Sequence, residues 1–271
     1  MGHLVDASGV ALELRRAPRR IVSLIPSTTE TLCHLGLADA LVGVTVYCVE
    51  PREIVATKTR IGGEKDPNLD AIRRLEPDLV IANIEENVRE HIDALRASGI
   101  PVWVTFPTTV RGAIRMIRDL GDVTGAQERA TALADELDRL CDRVAAGMAT
   151  RPAVSVFYAI WRGPYMTIGR DTYIHDMLHL CGGRNIFDDR VERYPMVTLE
   201  EVAARGPQVI ILPDEPFRFR RAHLRDFEPY AGVPAVRDRR IHLVDGKPFS
   251  WHGPRIADAL RTIPALFEAS G

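Results

Sequence analysis

Short apolar runs alternate with helical stretches over the first hundred residues. Ile21-Val22-Ser23-Leu24, Val42-Gly43-Val44, Leu79-Val80-Ile81 and Val102-Trp103-Val104 are brief and rich in β-branched residues, which predicts buried strands. Helices are predicted between them: after Pro26 and stopping at Gly36, from Leu69 to Leu75, and from Glu86 to Ala97. Ser27-Thr28-Thr29-Glu30 has the spacing of a capping box, in which a hydroxyl and a carboxylate each satisfy a free backbone N–H at the helix start. Residues 5–19 read as an edge hairpin or arm. Strands that alternate with helices call for a parallel or mixed sheet covered by helices.

The pattern changes at Val110. From there to Ala149 no strand signal occurs, and Gly121 and Gly125 punctuate the early part. Ala126 to Ala149 is rich in Ala, Leu, Glu and Arg, with Leu133, Leu137, Leu140 and Val144 at helical spacing. Such a helix is a rod of roughly 35 Å at 1.5 Å per residue, long enough to bridge two lobes. Alternation then resumes. Val154–Tyr158, Val209–Leu212 and Ile241–Val244 are predicted strands. Tyr173–Leu180, Leu199–Ala204 and a last amphipathic stretch from about Pro254 to Phe267 are predicted helices, with Gly182-Gly183 as a turn.

Two segments match without a gap: Leu69 to Ile81 and Leu199 to Ile211. Each is a capped short helix, a Pro-containing turn and a buried strand, with Asn68 or Thr198 as the cap and an acid, Asp70 or Glu200, two places later. One β/α unit therefore recurs on either side of the long helix. The expected fold class is α/β, with two pseudo-symmetric lobes bridged by one backbone helix and a ligand cleft between them. The expected boundaries are 1–107 for the first lobe, 108–150 for the helical linker and 151–271 for the second lobe.

Composition narrows the function. There are 35 basic and 37 acidic residues, so no charge excess marks a nucleic-acid partner. No 18-residue apolar run is present, so no membrane-spanning helix is expected. Met1-Gly2-His3-Leu4 shows no basic or apolar leader segment. The expected location is extracytoplasmic if a leader has been trimmed, and cytoplasmic otherwise. Cys33, Cys48, Cys141 and Cys181 lack C-x-x-C spacing and read mostly as buried thiols.

Catalytic signatures are weak. His175 and His179 sit four apart on a helix, as in metal-binding zincins, but Asp176 stands beside them without the usual Glu and no third ligand is evident. His34 and His91 lie at no clear strand end. Glu85-Glu86-Asn87 reads as a cap and solvated first turn. Gly62-Gly63 is too short to cradle a phosphate. No enzyme, no metal site and no intrinsic cofactor are expected.

In α/β folds ligands sit at strand ends. Aromatic and basic residues fall there: Tyr47 after the second strand, Trp161, Arg162 and Tyr165 after the strand at 154–158, and Trp251, His252 and Arg255 after the strand at 241–244. Ser27 follows the first. Aromatic faces suit a large flat ligand, and Arg suits its polar edge. Trp103 lies inside an apolar strand and is assigned to the core.

The runs Arg20–Glu30, Val42–Tyr47, Pro67–Ile72, Pro77–Ile81, Gly182–Phe187 and Ser250–Arg255 together resemble the helical-backbone substrate-binding proteins of ABC importers over essentially the whole chain. Within that family they look most like the cobalamin (vitamin B12) receptors. The resemblance implies two α/β lobes on one long helix and a cobalamin or other metal chelate as ligand. It implies a ligand-contacting role for Tyr47. It also implies that Asp70 and Glu200 dock the protein, as a monomer, on the arginines of a membrane permease. Alternatives are a ferric siderophore or haem receptor, or a cytoplasmic corrinoid or metal-chelate carrier without a permease.

Overall fold

Ile21 and Val22, both fully buried, start the strand around which the first sheet is built. The structure, a computed structural model, describes residues 4–14 and 16–268. Met1–His3, the segment that bears on a leader, lie outside the described residues. So do Arg15 of the expected arm and residues 269–271. In chain order the first elements are β1 (Leu4–Val5), β2 (Ala11–Leu12), β3 (Ile21–Ser23), α1 (Pro26–His34), β4 (Leu41–Val44), α2 (Arg52–Val55), β5 (Thr59–Arg60), α3 (Leu69–Arg74), β6 (Leu79–Asn83), α4 (Arg89–Ala97) and β7 (Val102–Thr105). Two long helices follow, α5 (Val110–Thr124) and α6 (Gln127–Met148). Then come β8 (Val154–Tyr158), α7 (Tyr173–Leu180), β9 (Gly183–Asn185), α8 (Leu199–Arg205), β10 (Val209–Pro213), a 3-10 helix (Arg221–Tyr230), α9 (Pro234–Arg237), β11 (Ile241–Val244), α10 (Lys247–Ser250) and α11 (Ile256–Phe267).

The protein divides into two units, and the division falls inside α6, between Leu137 and Asp138. The first unit holds the chain up to Pro107 with Arg111–Leu137 and His252–Pro254. Its sheet runs β5-β4-β3-β6-β7, with every pairing parallel. Parallel neighbours require crossovers, and the intervening helices supply them. Val22, Leu24, Ile61, Ile72, Val80, Ala82, Leu95 and Val104 form one core on this sheet. Trp103 is buried in β7. The arm is a short antiparallel ladder, Leu4 opposite Leu12. Asp6 ties it down: its carboxylate takes the N–H groups of Ser8, Val10 and Val104 and pairs with Arg96 at 2.6 Å.

The second unit holds Thr108–Val110, Asp138–Trp251 and the chain from Arg255. Its sheet runs β11-β10-β8-β9, again all parallel. Phe157, Phe187, Val202, Ile210, Leu212 and Phe227 are among its core residues. The repeat is present as α3–β6 and α8–β10. Asn68 Oδ1 accepts from Ala71 N at 2.9 Å and Thr198 Oγ1 from Glu201 N at 3.2 Å, so both caps are made as the sequence predicts.

Four local expectations are corrected. The capping box at Ser27 does not form: α1 starts at Pro26 with Ile25 as an uncapped N-cap. Proline suits the first helical position because it has no N–H to leave unpaired, and that moves Ser27 inside the helix. Glu86 does not open α4, which begins at Arg89. The Asn87 side chain accepts from Asn83 N at 2.8 Å and the Asn83 side chain from Glu85 N at 2.8 Å, folding 83–87 into a tight turn. Gly182 makes its turn at φ 92°, but Gly183 belongs to β9, a strand with no apolar side chain to announce it. The last helix starts at Ile256 and not at Pro254. Gly125, at φ 77°, separates α5 from α6.

Candidate ligand-binding site

Strand order decides where each unit can hold a ligand. In the first sheet β3 lies between β4 and β6; in the second β8 lies between β10 and β9. Chain leaving such a central strand departs between neighbours whose connections run to opposite sides, which opens a crevice at the carboxyl ends.

In the first unit the loop after β4 lines that end. Tyr47 is 58% exposed, and Val46, Val49 and, after β6, Ile84 are exposed as well. Exposed apolar side chains gathered at strand ends mark a contact surface more than isolated ones would. The loop is held from beneath. Cys48 is buried, and its Sγ lies 3.2 Å from Thr29 Oγ1 and 3.1 Å from Thr45 Oγ1. Arg60 Nη1 donates to the carbonyls of Thr45 at 2.7 Å and Cys48 at 2.8 Å. Burial pushes the Cys48 thiol up, so it stays neutral. Ser27 is buried, and its carbonyl accepts the Thr31 hydroxyl. Gly253 packs on that turn so closely that a Cβ would collide with Thr31 Oγ1.

In the second unit the chain leaving β8 carries Trp161, 42% exposed. Its ring meets Phe217 edge-on at 5.5 Å, and Phe217 meets Phe219 at 4.8 Å and His223 at 5.5 Å. Tyr165 stacks on Phe219 at 6.2 Å. Arg162 is not a free cation. Its Nε and Nη2 reach Asp226 Oδ2 and Oδ1 at 2.6 and 3.0 Å, and the Tyr165 hydroxyl donates to the same carboxylate at 2.6 Å. Arg162 holds the Asp226 carboxyl below its ordinary range. Burial and the bond to Asp226 push the Tyr165 phenol up. Arg162 and Tyr165 therefore brace the aromatic ledge that Trp161 presents.

Trp251 differs from Trp161. It is only 7% exposed, with the Arg255 guanidinium 5.2 Å and the Lys247 ammonium 5.9 Å from its ring centre. It also hydrogen-bonds Glu215, which accepts Ser250 Oγ at 3.0 Å and whose carboxyl is raised by burial. Asp214 Oδ1 takes Gly246 N at 2.9 Å, so the ends of β10 and β11 are stitched together. Burial drives the His252 imidazole down to about 4, leaving it neutral at pH 7.

Asp70 and Glu200 stand in equivalent first turns. The Asp70 side chain is 76% exposed and pairs with Arg73 at 2.8 Å, while Glu200 accepts the Tyr230 hydroxyl at 2.6 Å. That bond holds the Glu200 carboxyl low. His175 lies on α7 with Nδ1 3.5 Å from Asn185 Nδ2. Among the described residues no group of three or more His, Cys, Asp and Glu is placed to hold a metal ion. No helix among them is long and apolar enough to cross a membrane.

One element of the ledge escaped the sequence reading. Phe217-Arg218-Phe219-Arg220-Arg221-Ala222-His223-Leu224-Arg225 interleaves aromatic and basic residues with no acid. That alternation was the available signal.

The family model of periplasmic binding proteins matches residues 21–248. The vitamin B12-binding protein of Yersinia pestis (strain Pestoides F) is 32% identical over 201 residues, 73% of this chain and 70% of the relative. Among solved structures, the periplasmic vitamin B12-binding protein of Vibrio cholerae superposes with a TM-score of 0.80 at 25% identity, covering 93% of this chain and 97% of that one. A periplasmic haem-binding protein from Pseudomonas aeruginosa gives a TM-score of 0.80 at 26% identity and covers 94% of both chains.

Proposed function

The chain belongs to the periplasmic binding protein family, and from that membership we propose that it captures cobalamin or a related corrinoid and delivers it to an ABC importer. It is a substrate-binding protein. The single observation that carries the ligand class is the pair of exposed aromatic surfaces at strand ends, Tyr47 in one unit and Trp161 in the other. An exposed aromatic surface suits the face of a flat macrocycle, and burial of an aromatic contact contributes about 1–3 kcal/mol. In this reading Tyr47 and Trp161 touch the ligand, Arg162 and Tyr165 hold the second surface, and Ser27, Trp251, His252 and Arg255 shape the site's walls. α6 serves as the backbone helix joining the lobes, with residues 1–107 and 151–271 as the lobes themselves. The receptor works outside the cytoplasm as a monomer, and Asp70 and Glu200 dock it on the permease.

A haem or ferric siderophore receptor is the second reading, supported by the haem-binding neighbour at 26% identity. One experiment separates the two. Purified protein is titrated with cobalamin, cobinamide, haemin and ferric siderophores, followed by absorbance and calorimetry. Tightest binding of a corrinoid supports the first reading; tightest binding of haemin or a siderophore replaces it with the second.

A further inference from the structure

The segment from Phe217 to Arg225 does more than close the core of its unit. Phe219 is buried and Phe217 half-buried, both packed into the aromatic cluster, while Arg218 and Arg220, which alternate with them, are exposed. Arg221 opens the 3-10 helix and Arg225 lies within it; both are exposed. Among the described residues none of these four arginines makes a side-chain ion pair, in a chain where basic and acidic residues nearly balance at 35 to 37. The nearest acid on that helix, Asp226, is taken by Arg162 and Tyr165. The same segment touches the ledge directly, since Phe217 packs on Trp161. A flat apolar contact and a cluster of uncompensated guanidiniums thus share one piece of local structure. Guanidinium recognises carboxylate and phosphate through paired charge-assisted hydrogen bonds.

We infer that the Trp161 ledge recognises a flat ligand carrying an anionic group, carboxylate or phosphate, at its edge, with Arg218, Arg220 and Arg221 as its partners. This rests on the reading of the protein as a macrocycle receptor and adds the charge of the ligand to it. Neutral amide-edged macrocycles gain the stacking contact alone. The clustered charge also draws an anionic ligand toward the ledge, an effect that weakens as salt screens it.

Three probes test the inference. Cobalamin carries a phosphodiester, haemin carries two carboxylates, and cobinamide lacks the phosphodiester. Binding is measured by absorbance titration at low and high salt for the wild type and for R218Q/R220Q/R221Q. The three positions are exposed, so the variant keeps its fold, and its melting temperature checks this. The expected result is at least tenfold tighter binding of cobalamin or haemin than of cobinamide. The margin should shrink to within about threefold in the variant and in high salt, with cobinamide affinity unchanged. A cobalamin preference points to the phosphate and a haemin preference to the carboxylates. Cobinamide binding as tightly as both anionic probes, or a margin that survives neutralisation, overturns the inference while leaving the receptor reading intact. Failure of all three probes to bind overturns both the inference and the macrocycle reading on which it rests.

Discussion

Arg162 grips Asp226 through two parallel hydrogen bonds, Nε to Oδ2 at 2.6 Å and Nη2 to Oδ1 at 3.0 Å, across 64 residues of sequence. The paired geometry fixes the loop after β8 against the 3-10 helix, and the Tyr165 hydroxyl on the same carboxylate adds a third tie. Trp161 gains a rigid base from this, which is how a partly exposed aromatic becomes a defined surface.

The pair predicts an acid limb in the stability profile. The Asp226 carboxyl is depressed in the folded protein relative to its ordinary value, about 3.9. A depressed carboxyl contributes stability that is fully present above the unfolded value and is lost as pH falls through the folded one. Because Arg162 is partly exposed, solvent screening limits the contribution to about 1 kcal/mol. Asp226→Asn should lose that amount at pH 7, and its deficit relative to the wild type should shrink below about pH 4. Denaturant titrations of both proteins between pH 3 and 7 check this; a constant deficit across the range refutes it.

Truncating the three prominent aromatics should separate surface from core. Tyr47 and Trp161 are substantially exposed, so Tyr47→Ala and Trp161→Ala should lower affinity for the cognate macrocycle by about 1–3 kcal/mol while melting temperature without ligand moves little. Trp251 is buried, so Trp251→Ala should cost about 3–5 kcal/mol of stability even without ligand. Paired calorimetric melts and binding titrations measure both effects. A stable Trp251→Ala protein would show that the indole is not part of the core.

Much of this architecture was legible because its signals are local. The caps at Asn68 and Thr198 sit beside the helices they start, and the apolar runs of β3, β6 and β10 declare burial by themselves. What was not legible depends on partners far along the chain. Nothing near Arg162 reveals that Asp226 neutralises it, so it reads as a free ligand for polar groups. Trp161 and Trp251 both follow strands, yet only the folded chain shows that Phe217 leaves one exposed while Arg255, Lys247 and Glu215 enclose the other. Gly183-Arg184-Asn185 forms a strand because β8 pairs with it, not because its residues favour one.

Cys33, Cys48 and Cys181 should resist thiol–disulfide exchange in the native state. Burial pushes Cys33 up to about 11 and Cys181 up to about 12, and it raises Cys48 despite the hydroxyls of Thr29 and Thr45. A thiol at about 11 is thiolate in roughly one molecule per thousand at pH 8, and the thiolate is the reactive form. Dithionitrobenzoate at pH 8 should therefore react with these three slowly in the folded protein and rapidly in denaturant. Fast native reaction at Cys48 would mean that the Tyr47 loop opens readily and that Arg60 does not hold it.

The two acids at the repeated helix starts carry the remaining prediction. Asp70 and Glu200 occupy equivalent first turns, where an acid is favoured by the helix dipole without needing any partner. Docking on a permease asks more: both carboxylates must be ionised and accessible. The Tyr230 hydroxyl holds Glu200 low, and Asp70 is exposed beside Arg73. The ties differ in character. Arg73 offers Asp70 a competing cation that a basic pocket must displace, whereas Tyr230 aims Glu200 and leaves its charge intact. If these acids dock the receptor, D70K/E200K should abolish ligand uptake and salt-sensitive binding to the permease while affinity for ligand stays within about twofold. Either single reversal should give a partial loss. Tyr230→Phe, which removes only the aiming bond, should weaken docking by less than E200K does. Uptake assays with reconstituted permease decide the matter. Normal uptake by the double variant would assign both carboxylates to helix stabilisation alone, and a helix-cap role would then show as a drop in melting temperature in the same proteins.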